Sequence, residues 1–138
     1  MRIGKQSFII ENTYLHQSAV VVGPREFDGP LGHLYDYHYD NLDCDEKSWE
    51  LAEMAMYRKA FDLCLHKNKI ELKDVDCVVS GDLNNQIIIG NYVMRDYDIP
   101  YLGVFNACSS SVEGLIVGSN IIEAENASNI VIGVSSHY

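Results

Sequence analysis

Short apolar, β-branched runs alternate with stretches of helical period from residue 18 to residue 135, and that alternation permits few folds. Strand runs are predicted at 18–22, 76–80, 101–105 and 130–135, with a short edge strand over 7–10. A helical period fills 48–67 behind Ser48, a good N-cap. A second helix is predicted from 85 or 86 to 97, stopping before Pro100, and a third over 109–125. Strands separated by helices imply parallel pairing through right-handed crossovers, so the predicted class is α/β. At 138 residues the chain forms one domain, long enough for a real core.

The segment Asn106-Ala107-Cys108-Ser109-Ser110-Ser111 places a thiol where a strand hands over to a helix. Backbone N–H groups in a first helical turn have no intrahelical acceptor, and with the macrodipole they favour negative charge. Cys108 in that position suits a nucleophile or part of an anion site, and equally a small buried residue at a helix start. Asp82 follows a predicted strand, at the edge where parallel sheets place ligand sites, and it also suits a turn. Asn84, Asn85 and Gln86 offer donors for a carboxylate and also suit a helix start. His137 follows the last strand on the same edge, and His33 lies in a Gly-Pro-Leu-Gly-His loop that it helps to shape or through which it touches ligand.

Composition removes several classes of function. Twenty acidic against ten basic residues give a net charge of −10, and no Lys/Arg cluster offsets it, so nucleic acid is not an expected partner. Cys44, Cys64, Cys77 and Cys108 contain no C-x-x-C pair, and His16, His38 and His66 have no companions at metal-ligand spacing. The acids Asp40, Asp43, Asp45 and Glu46 lack the EF-hand pattern and read as a solvated loop, so neither metal nor cofactor is expected. Apolar runs stay well short of the roughly 20 residues that cross a bilayer. The start Met1-Arg2-Ile3-Gly4-Lys5-Gln6-Ser7 lacks the apolar stretch of a secretory signal, so synthesis in the cytoplasm is expected.

The helix behind Cys108 is apolar nearly all round. Val112, Leu115, Ile116 and Ile122 lie on one side, and Val117, Ile121 and Ala124 on the other, with Gly114 and Gly118 four residues apart. Such a helix is expected to be buried on all sides, with its glycines admitting a second helix. That layer, and a chain stopping at His137-Tyr138 after an apolar strand, lead to the expectation of a fragment of something larger that self-associates. The connection 23–47, rich in Gly, Pro, Asp and Tyr, is long enough to expect a function or a covering role.

Several segments in order carry a resemblance: Gly4-Lys5-Gln6, Gly29-Pro30-Leu31-Gly32-His33-Leu34, Tyr39-Asp40, Trp49-Glu50 and Gly81-Asp82-Leu83-Asn84-Asn85-Gln86. Asn91-Tyr92-Val93, Ile99-Pro100, Phe105-Asn106-Ala107-Cys108-Ser109 and Ser135-Ser136-His137 continue it. The strand, the Ala-Cys-Ser turn and the apolar helix resemble the nucleophile segment in the N-terminal half of the thiolase superfamily. Within it, the whole chain is similar to the stage V sporulation AD family.

The resemblance implies a parallel sheet in spatial order 3-2-1-4, counting 18–22 as the first strand, with Cys108, Asp82 and His137 at its carboxyl edge. It implies that residues 1–138 are an N-terminal thiolase-like domain whose second half is absent. It also implies a non-catalytic binder of dipicolinic acid (pyridine-2,6-dicarboxylate) or its calcium chelate. That binder would act in transport across the spore inner membrane with membrane proteins of the stage V sporulation A operon. The protein would be made in the forespore and associate peripherally with that membrane. Ligand would be lined by Cys108, Asn106, Ser109, Asp82, Asn85, His137 and His33. The alternatives are an acyltransferase or condensing enzyme using Cys108 as nucleophile, and a structural scaffold.

Overall fold

The computed structural model describes residues 2–84 and 87–137. The longest element, α2 (Trp49–Asn68), starts where Ser48 Oγ accepts the Leu51 N–H at 3.3 Å and ends at left-handed Lys69. Before it come a hairpin, β1 (Arg2–Ile3) with β2 (Ser7–Phe8), and β3 (Val21–Val22), which runs straight into α1 (Pro24–Phe27). β4 (Tyr37–His38) pairs parallel with β3. After α2 follow β5 (Cys77–Asp82), α3 (Ile88–Met94), β6 (Tyr101–Gly103), α4 (Ser110–Glu123) and β7 (Ile130–Ser135).

The central sheet has order β6-β5-β7, all parallel, with Cys77 opposite Ile130 and Asp82 opposite Ser135. β5 is buried along its whole length, and its period of two sorts side chains to the two faces. Val78 packs with Tyr57 and Phe61 of α2 and Ile89, Val93 and Met94 of α3. Cys77 and Val79 pack with Val104, Ile130, Ile132 and Val117 of α4. Two helices therefore cover one face and α4 the other, and each buried Val or Ile contributes about 1.5–3 kcal/mol. All strands of the sheet point the same way, so Asp82, the turn after β6 and the residues after β7 gather at one carboxyl edge.

The α/β class holds, but the expected position of the first strand does not. Residues 18–22 do not enter between β5 and β7; those two strands pair directly over six residues each. β7 supplies apolar contacts to both helix layers, Val131 toward α2 and α3 and Ile130 and Ile132 toward α4. The 18–22 segment is instead held from outside the sheet. Lys67 Nζ donates to Ser18 O at 2.6 Å, the Val20 N–H donates to Asp36 at 2.8 Å, and Asn68 pairs with the Gln17 backbone. Pro24 then ends the strand after two residues.

The glycines of α4 also differ from expectation. Gly114 and Gly118 are buried against Ile132 of the sheet, so they admit a strand side chain and not a second helix. The outer face of α4 shows Val112 at 55% and Ile116 at 44% exposure, beside Phe105 at 59%.

Candidate functional site

Cys108 sits in a 3-10 turn, Ala107–Ser109, that runs directly into α4. The turn is tight because Ala107 adopts φ 45, the left-handed region that costs a residue with a Cβ about 1–2 kcal/mol. Two contacts fix it: the Asn106 N–H donates to Ser110 Oγ at 3.0 Å, and Ser109 Oγ donates back to Asn106 O at 2.8 Å. Gly81 brings the end of β5 against this turn, since a Cβ there would lie 2.4 Å from Val104 O and 3.1 Å from Ser110 Cβ. Cys108 itself is exposed, at the mouth of a cavity of about 920 Å³.

That cavity follows the open edge of β7. Ala107, Cys108, Ser111, Leu83, Glu53, Ser135 and Ser136 line its carboxyl end, and Val75, Ser128 and Asn129 its amino end. Six strand residues at about 3.3 Å each make it roughly 20 Å long. Met56, Phe61 and Leu65 of α2 and Leu115 and Ile122 of α4 form apolar walls. Residues 12–21 close the outside. They are tied to α4 through Thr13 Oγ1, which donates to Glu123 at 3.0 Å, and to α2 through Gln17 and Asn68.

The other residues singled out from sequence are arranged differently. Asp82 is 1% exposed, and its carboxylate accepts the N–H groups of Asn84 (2.9 Å) and Gly90 (3.0 Å), bracing the turn between β5 and α3. His137 Nε2–H donates to Leu42 O at 2.6 Å and its ring lies 5.2 Å from Trp49, so it turns to the 39–46 loop and does not line the cavity. The hydroxyl of Ser109 and the backbone of Asn106 are engaged within the turn. His33 is exposed in the 3-10 turn Gly32–Leu34, apart from the cavity lining. Asn85 and Gln86 lie outside the described residues. Cys108 and Asp82 thus share the carboxyl edge as expected, but only Cys108 faces the cavity.

Comparison with known proteins now fixes the family. The sequence profile of Stage V sporulation protein AD matches residues 4–138. The chain belongs to the stage V sporulation protein AD family. The Stage V sporulation protein AD of Bacillus subtilis (strain 168) is 39% identical over 135 residues, covering 97% of this chain and 40% of that protein. The chain thus spans less than half the length of its relative. Its fold resembles the crystal structure of 3-oxoacyl-(acyl-carrier-protein) synthase III from Aquifex aeolicus VF5, with TM-score 0.53 and 14% identity over 67% of this chain and 31% of that one. The fold is thiolase-like.

One residue of this family member's cavity escaped the sequence reading. Glu53 is 2% exposed, and its carboxylate accepts from Ser135 Oγ at 2.7 Å, Asn84 Nδ2 at 2.8 Å and the His137 N–H. Burial, assisted by the nearby Asp82 charge, raises its carboxyl above the ordinary range against the pull of those donors. A signal was present: Glu53, Tyr57 and Phe61 recur every four residues, so a carboxylate stands in the buried stripe of α2.

Proposed function

We propose that this chain supplies the cysteine-bearing wall of a non-catalytic site for a small aromatic dicarboxylate, dipicolinic acid or its calcium chelate. Cys108, at the head of α4 and at the mouth of a long cavity in a member of this sporulation family, carries the reading. The macrodipole of α4 favours an anion at its head, and Asn106 and Ser109 frame the turn from its exposed side. The reading as a binder follows the sporulation family to which the chain belongs, and an acyltransferase using Cys108 as nucleophile is the second reading, favoured by the likeness of the fold to a 3-oxoacyl synthase. His137, the nearest candidate base by position in the chain, is held by Leu42 and Trp49. We further infer a role in moving the ligand across the spore inner membrane, with peripheral attachment through membrane proteins of the same operon. None of the described helices is long and apolar enough to cross a membrane.

The test is calorimetry of the 138-residue chain with dipicolinate, with and without calcium, for wild type and Cys108→Ala, alongside mass spectrometry after incubation with acetyl-CoA. Saturable binding that Cys108→Ala weakens, with no acyl adduct, is expected. An acyl group on Cys108 that passes to a second substrate overturns the binder in favour of an enzyme.

A further inference from the structure

Among the described residues, Glu53 is the one strongly buried carboxylate that meets the cavity, and the family reading gives it no part. It is 2% exposed and shares the cavity wall with Cys108, Ser111 and Ser136. Its partners are all neutral donors: Ser135 Oγ, Asn84 Nδ2 and the His137 N–H. None of the ion pairs among the described residues includes it. We propose that Glu53 sets the charge preference of the Cys108 cavity: ionised, it turns anions away from the cysteine, and protonated, it admits them.

Apart from His16, which lines the same cavity on the 12–21 segment, the following groups bring no positive charge to Glu53. β5 contributes Asp82, a further negative charge. Tyr57, one turn on in α2, donates to Ser80 Oγ at 2.7 Å, and Tyr101 of β6 reaches Ser80 O; burial holds both phenols neutral. After β7, the His137 ring is occupied by Leu42 and so points away. At the start of α4 stands Cys108. A carboxylate so placed acts on ligands beside the apolar walls of the cavity, where charges interact more strongly than in bulk water. Protonation is accommodated locally, because the Ser135 hydroxyl can rotate from donor to acceptor. The same burial raises the carboxyl above the ordinary range, which moves its titration toward neutral pH.

This deepens the anion-site reading and rests on it for the identity of the ligand, but its test does not. Cys108 is alkylated in the full chain with iodoacetate, an anion, and with iodoacetamide, its neutral counterpart, from about pH 4, near the ordinary glutamate value, up to about pH 8. The rate at Cys108 is followed by peptide mass spectrometry. The ratio of the two rates cancels the thiolate fraction and reports only how the cavity treats negative charge. In wild type the ratio should rise about threefold as pH falls through the Glu53 titration, and in Glu53→Gln it should stay high and flat. A flat wild-type ratio, or a Glu53→Gln ratio equal to wild type at the alkaline end, overturns the proposal. Should Glu53→Gln fold poorly, His16→Gln keeps the test decisive: the imidazole of His16 lines the same cavity, the His16→Gln ratio should still rise as in wild type, and a flat ratio there overturns the proposal. A responsive ratio without dipicolinate binding would retain Glu53 as the charge gate and remove dipicolinate as the ligand.

Discussion

Replacing Gly114 by alanine puts a methyl group into the seam between α4 and the sheet. A Cβ at that position would lie 2.8 Å from Ile132 Cγ2, with Val79 O at 3.8 Å and Val79 Cγ1 at 3.9 Å. The Cγ2 atom is a branch methyl set directly on the Ile132 Cβ, so the helix or the strand must move to clear it. Overpacking of this kind costs about 1–3 kcal/mol, against about 1 kcal/mol gained from the better helix propensity of alanine. The net expectation for Gly114→Ala is a loss of about 1 kcal/mol. Gly118, one turn further along, is a different case. Its nearest atoms would be Ile132 Cδ1 at 3.1 Å and Ile130 Cγ2 at 3.4 Å, and Cδ1 is a chain end that rotates away. Propensity prevails there, so Gly118→Ala should be neutral or stabilising by up to about 1 kcal/mol. Urea unfolding followed by circular dichroism at 222 nm resolves the difference, provided the slope with denaturant is unchanged. If both substitutions stabilise the protein equally, the glycines face away from the sheet and the packing argument is refuted.

Three further outcomes follow from other parts of the molecule. Ala107→Gly should hold or raise stability by about 0.5 kcal/mol, because glycine adopts φ 45 freely; a loss of about 1 kcal/mol, the usual effect of such a change, would show the turn unstrained. The chain should self-associate through Val112, Ile116 and Phe105, with Ile116→Glu restoring a monomer in sedimentation at tens of micromolar; wild-type protein that is already monomeric there refutes this. Because the Glu53 carboxyl is raised in the fold, its titration contributes stability at low pH that is lost as pH rises through its folded value. The stability of wild type minus that of Glu53→Gln should therefore fall from acid toward neutral pH, and a constant or rising difference by urea unfolding would contradict the burial argument.

Local chemistry alone made much of the fold legible. Ser48 as an N-cap, the β-branched runs at β5 and β7 and the break before Pro100 act within a few residues of themselves, and α2, β5 and β7 lie where those signals put them. The thiol at the head of α4 was legible for the same reason, as strand, turn and helix are contiguous there. The neighbours of a strand are not a local property. Residues 18–22 have the composition of a central strand, yet β7 pairs with β5 in their place, because Lys67, Asp36 and Asn68 hold the segment outside the sheet. Side-chain direction was decided the same way. Asp82 and His137 reach the expected edge, but backbone donors near Asp82 and a carbonyl in the loop at Leu42 draw their polar atoms away from Cys108. Glu53 stands in the inward stripe of α2, and its carboxylate is held by partners distant in sequence, Asn84 and Ser135. The sequence by itself determined the elements and the place of the cysteine, whose causes are short-range. Strand order, the inward glycines and the partners of the Glu53 carboxylate were settled only in three dimensions, since each depends on which distant residue satisfies a polar group or fills a gap.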